Sequence, residues 1–244
     1  VNVLKQLTLN GPFACPYYPK DKQASYEEFF AQDLSPEELD DLLSNGWRKF
    51  GLYIFRPQCG QCQQCLPLRV QTQNYQLSKR ERRVWNKNSD IEVKVSELKF
   101  YAEIYDLYVH FQRHRFNKTD VELNEFYYSF YLAPQNALQI EYFWTVPPEL
   151  KENYHGKDKI LVGVSFIDVS LNAINSVYFF WHQDFASRSL GIFSILFEIQ
   201  MAKERGIPFY YLGYGIDGHP DMNYKFNFRE QQIWDWNSAE WKDR

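Results

Sequence analysis

The chain has 244 residues, 45% of them hydrophobic and 24% charged, and 27 Lys and Arg against 31 Asp and Glu give a net charge of −4. That length and apolar content suit one large domain or two small ones, each burying its own core, and exclude a disordered or low-complexity chain. The longest apolar runs, Val177–Trp181 and Ile192–Phe197, fall far short of the roughly 18 residues of a membrane span, so no membrane partner is expected.

No charged-then-apolar leader follows Val1, which argues against export. Four cysteines, three of them crowded between Cys59 and Cys65, do not make a disulfide framework for a chain this long and point to a reducing, cytoplasmic compartment.

In chain order, SPEELDDLLSNG is the first clear element. Ser35 is the cap, Pro36 fits the first helical position, Glu38 completes a capping box, Leu39, Leu42 and Leu43 form the apolar stripe, and Asn45-Gly46 stops the helix. Gly51–Phe55 and Leu66–Thr72 read as strands joined by the turn RPQCGQCQQCLPLRV, residues 56–70. Next comes SKRERRVWNKN, residues 78–88, where Lys79, Arg80, Arg82, Arg83 and Lys87 face Glu81 alone, a local excess of +4 in an acidic chain. Such a run is either a solvated helix face or an anion-binding patch. Asp90–Val95 alternates Ile91, Val93 and Val95 with polar residues, as a strand with one wet face does. Residues 1–95 thus predict a helix on a small sheet.

LKFYAEIYDLYVHFQRHRF carries Tyr101, Ile104, Tyr105, Tyr108 and Phe111 at helical spacing, and NEFYYSFYL continues after a break at Asn117–Asp120. Stripes of this kind form core, with the tyrosine hydroxyls needing partners or a polar groove. LQIEYFW, ILVGVSFIDV and NSVYFFWH are consecutive strands; SRSLGIFSILFEIQMAKERG is a helix stopped by Gly206 and Pro208; FYYLGYG is a buried strand. Three strands, an apolar helix opening on Arg188-x-x-Gly191, then a strand is the order of a GCN5-related acetyltransferase core. The fold expected is α+β: a small cysteine-containing α/β domain over 1–97, then an acetyltransferase-like core with mixed sheet and helices over 98–244, whose helical part, 98–135, bridges the two.

FACPYYP, NGWRKFGLYIFRPQCGQCQQCLPLRV, SKRERRVWNKN, FQRH, SRSLGIFSILFEIQMAKERGIPFYYLGYGI and MNYKFNFRE together resemble the bacterial aspartate/glutamate leucyltransferases, relatives of the eukaryotic arginyltransferases. The resemblance covers nearly the whole chain. It implies an aminoacyltransferase that takes leucine, or arginine as second choice, from aminoacyl-tRNA and joins it to the N-terminal Asp or Glu of a protein, creating an N-degron for degradation. It departs from the family after Arg113-His114, where RFNKTD stands, and at the long loop 145–159; both bear on substrate choice.

An aminoacyl ester is already activated, so no cofactor is required; the enzyme has to place the acceptor amine and stabilise the oxyanion. Tyr211, Tyr214 and Tyr224, or a backbone N–H beside Leu212-Gly213, are the candidates for that role. Asp217, His219 and Asp221 are the nearby bases, or simply the hydrated charges of a glycine turn. An acidic terminus suits an arginine fork helped by lysine: Arg56, Arg69, Arg80 and Arg83 are the acceptor-binding candidates, with Lys225 and Arg229 behind them. Lys79, Arg82, Lys87, Arg188 and Ser189 are the tRNA-binding candidates, with Trp85 and Trp181 as stacking surfaces for the terminal bases. Cys15, Cys59, Cys62 and Cys65 admit three readings: a four-thiolate zinc or iron–sulfur site, as the resemblance to the eukaryotic relatives implies, reduced thiols packed in a tight turn, or a redox sensor. Two other functions stay open: an acyl-CoA-dependent N-acyltransferase of the same core, and a metal-stapled RNA-binding module.

Overall fold

Ser35 closes the first helix as its sequence requires. Its hydroxyl accepts from the Glu38 N–H at 3.2 Å while the Glu38 carboxylate accepts from the Ser35 N–H at 2.8 Å, a complete capping box. The same device recurs at Ser78 and Glu81. These features belong to a computed structural model that describes residues 1–244. In chain order its elements are β1 (Asn2–Ala14), β2 (Gln23–Gln32), α1 (Pro36–Ser44), β3 (Arg48–Phe50), β4 (Tyr53–Pro57), β5 (Leu66–Gln71), α2 (Lys79–Lys87), β6 (Ile91–Glu97), α3 (Ala102–Phe116) and α4 (Leu123–Phe130). There follow β7 (Ala137–Thr145), β8 (Lys159–Val169), β9 (Ala173–Trp181), α5 (Leu190–Glu204), β10 (Phe209–Gly215), β11 (Gln231–Asp235) and β12 (Glu240–Asp243). No helix is long and apolar enough to cross a membrane.

The chain divides into two compact units, and neither is continuous in sequence. The first comprises residues 1–75, 169–175 and 202–244; the second comprises 76–168 and 176–201. The boundary expected at residue 97 is therefore not where the structure divides, and the helical stretch 98–135 lies wholly in the second unit. The physical reason is strand pairing. β5, from the N-terminal third, lies between the C-terminal strands β10 and β11, antiparallel to both, which draws the two ends of the chain together.

Within the first unit, β1, β2, β4 and β3 form one antiparallel sheet in that order. A second sheet runs β12, β11, β5, β10 and the first residues of β9, the last pair parallel. Residues 58–65 thus carry the chain from one sheet to another and are not a hairpin turn, as the sequence pattern suggested. β1 and β2 were not legible as strands, because β1 is exposed along nearly its whole length and shows no burial alternation. Leu39 and Leu43 of α1 pack with Ala173 and Tyr211, while Ala31, Leu34 and Ile54 form a separate small core.

In the second unit β9, β8, β7 and β6 lie side by side, and the aromatic stripe of α3 and α4 meets them. Phe130 stacks on Phe166 at 4.5 Å and Tyr108 meets Phe180 edge-on at 5.3 Å. Three tyrosine hydroxyls here find partners: Tyr131 donates to Gln139 Oε1 at 2.9 Å, Tyr101 donates to Glu141, and Tyr178 accepts from Gln112 Nε2 at 3.0 Å, whereas the buried Tyr142 hydroxyl has none. α5 is apolar on all sides, as a helix buried against a sheet must be, and its Glu198 accepts from Ser165 of β8 at 2.6 Å. The fold class is the one expected: α+β, with three antiparallel strands, an apolar helix and a strand parallel to the last of the three. The loop 145–159 holds a short 3-10 helix, Pro148–Tyr154.

Candidate functional site

β10 is the element around which the unusual geometry of the first unit collects. It pairs with β9 only from Phe209 to Tyr211, while its pairing with β5 continues to Gly215 through a bulge between Tyr211 and Gly213. Bulges re-aim backbone and side chains, and they favour sites. Gly213 has φ +79°, and a Cβ there would stand 1.4 Å from Nη1 of Arg48. The guanidinium of Arg48, on β3, thus lies where only glycine leaves room, 5.8 Å over the Tyr214 ring.

Lys225, in the 3-10 turn Asn223–Asn227, donates from Nζ to the Tyr214 carbonyl at 2.9 Å. The residue is partly exposed but its ammonium lies deep, and burial first, the Arg48 charge second, bring its pKa down to about 7. The Tyr214 hydroxyl is buried, 3.4 Å from the carbonyls of Gly46 and Phe55, and burial pushes it well above an ordinary phenol.

Beside this strand end, all four cysteines line one cavity of about 320 Å³, with Tyr17, Tyr26 and Ile216 in its wall. The thiols are free. Burial pushes Cys65 up to about 12, reinforced by Cys59, Cys15 and Cys62. A metal site would need three or four of these sulfurs converging as thiolates. No group of three or more Cys, His, Asp or Glu side chains is so arranged here. The four cysteines line a pocket whose wall is about as apolar as it is polar.

In the second unit, α2 sets Lys79, Arg80, Arg83 and Lys87 within an arc of about 100° on its outer side. Glu81 and Asn88 are buried on the opposite face, so the cationic stripe points to solvent. Lys87 is partly committed, donating to the Ser187 carbonyl at 2.7 Å.

Comparison with known proteins follows the same segments. The model described as arginine-tRNA-protein transferase, C terminus, matches residues 103–235, and its N-terminal counterpart matches 13–83. An aspartate/glutamate leucyltransferase of Campylobacter jejuni subsp. jejuni is 35% identical over 224 residues, 90% of this chain and 88% of that protein. The chain belongs to this transferase family. Relatives of the same name from Helicobacter hepaticus and Polynucleobacter asymbioticus are 29% and 28% identical, covering 88% and 93% of this chain and 87% and 90% of theirs. Among solved structures, FemX superposes with a TM-score of 0.47 at 10% identity, over 80% of this chain and 64% of that one.

For a transferase of this family, the structure sorts the residues singled out in the sequence. Arg56 and Arg69 do not meet. Arg56 pairs with Glu27 at 2.6 Å and lies 4.6 Å over Trp47. Arg69 donates to Gln232 Oε1 and the Tyr211 hydroxyl and is sandwiched between Phe209 and Trp241 at 3.9 and 4.3 Å. Tyr211 itself is core, and Tyr224 is 38% exposed. Arg188 forks onto Asp90 at 2.6 and 2.8 Å, which holds that carboxyl below its usual range, and Ser189 is the left-handed residue that ends a 3-10 turn.

Lys79, Arg80 and Arg83 are exposed, as is Arg82, which donates to the Leu77 carbonyl. Asp217 and Asp221 lie on the surface, and His219 packs edge-on against Tyr17 and Tyr18. Trp85 meets Phe193, Trp181 meets Phe111, and Arg229 is exposed. The residue that sequence reasoning missed is Arg48. Its signal was indirect: a glycine in the middle of a buried strand marks a close approach by something else.

Proposed function

We propose that this transferase moves leucine from charged tRNA to the N-terminal Asp or Glu of proteins, in the cytoplasm, marking them for degradation. The observation that carries the reading is the 35% identity, over nine-tenths of the chain, to a relative named aspartate/glutamate leucyltransferase. The acceptor's neutral α-amine attacks the aminoacyl ester carbonyl, a C–N bond forms, the ester C–O bond breaks, and the amine's proton ends on the departing ribose oxygen. The ester supplies the driving force, so neither nucleotide hydrolysis nor a cofactor is needed, and the work of the protein is positioning and oxyanion stabilisation.

Three features support these roles. The cationic stripe of α2, Lys79, Arg80, Arg83 and Lys87, offers phosphate contacts to the acceptor stem. Beyond Tyr211 the β9-facing edge of β10 is free of ladder pairing, and a backbone N–H there can donate to the oxyanion. The cavity beside the strand end is of a size for one or two residues of a peptide. Arginine is the second donor to consider, because both matching family models carry that name. An acyl-CoA enzyme is disfavoured, since the arginine of the Arg-x-x-Gly turn is taken up by Asp90.

The test mixes the protein with tRNA charged with labelled leucine or arginine and peptides beginning Asp, Glu or Asn. Label on the acidic peptides from leucyl-tRNA is the expected result. Absence of label from either donor, in conditions where the Campylobacter jejuni relative works, overturns the reading.

A further inference from the structure

We propose that Lys22 reads the side-chain carboxylate of the acceptor's N-terminal Asp or Glu, from the wall of the cavity that the cysteines line. The inference rests on the transferase reading and names the residue that gives it acceptor specificity. Its first ground is the charge of that wall. Of the side chains lining the cavity, Lys22 alone is a charged residue; the rest are thiols, phenols, amides, an indole and apolar groups, with no Asp or Glu among them. Asp21, the next residue in the chain, lines a neighbouring groove that Lys22 also borders. Lys22 is half-buried and forms no ion pair, so an entering carboxylate supplies the partner its charge lacks.

The second ground is how firmly the ammonium is held. The Lys22 N–H donates to the Tyr18 carbonyl at 2.9 Å, and the Lys22 carbonyl accepts from the Cys15 N–H at 3.0 Å, which pins the backbone on both sides of the side chain. Nζ donates to Gln64 Oε1 at 2.6 Å and stands 5.0 Å over the Tyr18 ring. Gln64 and Tyr18 belong to the same wall. One ammonium N–H is spent on Gln64, and the others are left for the oxygens of a carboxylate. A donor fixed in this way loses little freedom when its ligand arrives. The third ground is place. The cavity, about 320 Å³, reaches Ile216, the residue after β10, and so adjoins the strand whose unpaired edge offers the oxyanion a donor. The side-chain carboxylate and α-amine of a terminal Asp or Glu are only a few bonds apart, so holding one here keeps the other beside that strand end. An Asn or Gln terminus offers the ammonium a neutral carbonyl, with roughly half the hydrogen-bond strength of a carboxylate, so the wall selects by charge.

Steady-state transfer from leucyl-tRNA is measured with two peptides that differ only in beginning Asp or Asn. Lys22→Met raises KM for the Asp peptide about 10- to 100-fold and leaves kcat and the KM for leucyl-tRNA unchanged, while the Asn peptide, added as a competitor, inhibits variant and wild type at the same concentration. Lys22→Arg keeps a preference for Asp over Asn, because it keeps the charge. A Lys22→Met enzyme with the wild-type KM for the Asp peptide overturns the proposal, as does one that loses kcat at unchanged KM, since that residue acts on the reaction and not on acceptor binding. A rise in the KM for leucyl-tRNA in place of the peptide makes Lys22 a phosphate contact and overturns it equally. Gln64→Leu, at an exposed position, serves if Lys22→Met does not fold: the ammonium loses the acceptor that holds it, and KM for the Asp peptide rises about 3- to 10-fold, with an unchanged KM counting against the proposal. If the wild-type protein labels no peptide, the transferase reading itself fails; if it labels the Asp and Asn peptides with equal KM, that reading stands and the assignment of Lys22 falls.

Discussion

Substituting Gly213 by alanine separates the structural from the functional reason for that glycine. The added Cβ would lie 1.4 Å from Nη1 and 2.5 Å from Cζ of Arg48, so the guanidinium has to leave. It sits at the end of a flexible side chain, which makes its movement cheap. The stability cost then has two parts: about 1–2 kcal/mol for an L-residue at φ +79°, and about 0.5–1 kcal/mol for the lost approach of Arg48 to the Tyr214 ring. Gly218 is the control: φ +72° and nothing within 4 Å of its would-be Cβ, so only the first part applies. Thermal melting should fall by roughly 2–8 °C in Gly218→Ala and by only a few degrees more in Gly213→Ala. Peptide transfer should fall in Gly213→Ala and not in Gly218→Ala, because only the first disturbs the bulged end of β10. Equal melting and equal transfer in the two variants would refute the reading of Gly213 as a position of close approach.

Replacing Lys79, Arg80 and Arg83 together by glutamine should lower the slope of log affinity for tRNA against log salt by about 2–3, whereas Arg56→Gln, already paired with Glu27, should leave it unchanged in filter binding. Lys225→Met should stabilise the protein at pH 7 by on the order of 2 kcal/mol. Because the folded lysine titrates near 7 and the unfolded one near 10.5, the unfolded state binds the extra proton between those values, so the wild-type chain gains stability as pH rises and the advantage of the variant shrinks; denaturant melts at pH 7 and 9.5 measure it. Asp90→Ala should cost about 1–3 kcal/mol, since it frees Arg188 and leaves the buried Trp144 indole N–H, now 2.9 Å from Asp90, without its acceptor. The wild-type contribution of Asp90, whose carboxyl is held below its usual range, is present above that range and is lost as pH falls through it. Alkylation at pH 8 should spare Cys65, pushed up to about 12, and label Cys62 earlier, as peptide mapping would show.

Local signals in the sequence were read well because local chemistry fixes them. The boxes at Ser35–Glu38 and Ser78–Glu81, the strands β6 to β10 and the break after Phe116 all follow from capping, alternation and left-handed Asn117. What no local pattern carries is which strand pairs with which. β5 and β4 flank one short segment yet join different sheets, so Arg56 and Arg69, both acceptor-binding candidates, face different partners. Arg48 and Lys225, far apart in sequence, both reach the bulged end of β10, the guanidinium at Gly213 and the ammonium at the Tyr214 carbonyl. Arg188 shows the complementary limit: nothing in SRSLG announces that Asp90 will occupy its guanidinium.

The placement of β5 between two C-terminal strands also bears on how the chain is made. All residues of the second unit have been synthesised once residue 201 is reached. Leu68 and Val70 of β5, fully buried in the finished protein, must wait for Phe209–Gly215 and Gln231–Asp235. Until then an apolar strand has both edges open, the condition in which nascent chains aggregate or recruit chaperones. A stop codon before Gln231 would therefore leave more than a missing tail: it would leave β5 paired with β10 on one edge and open on the other.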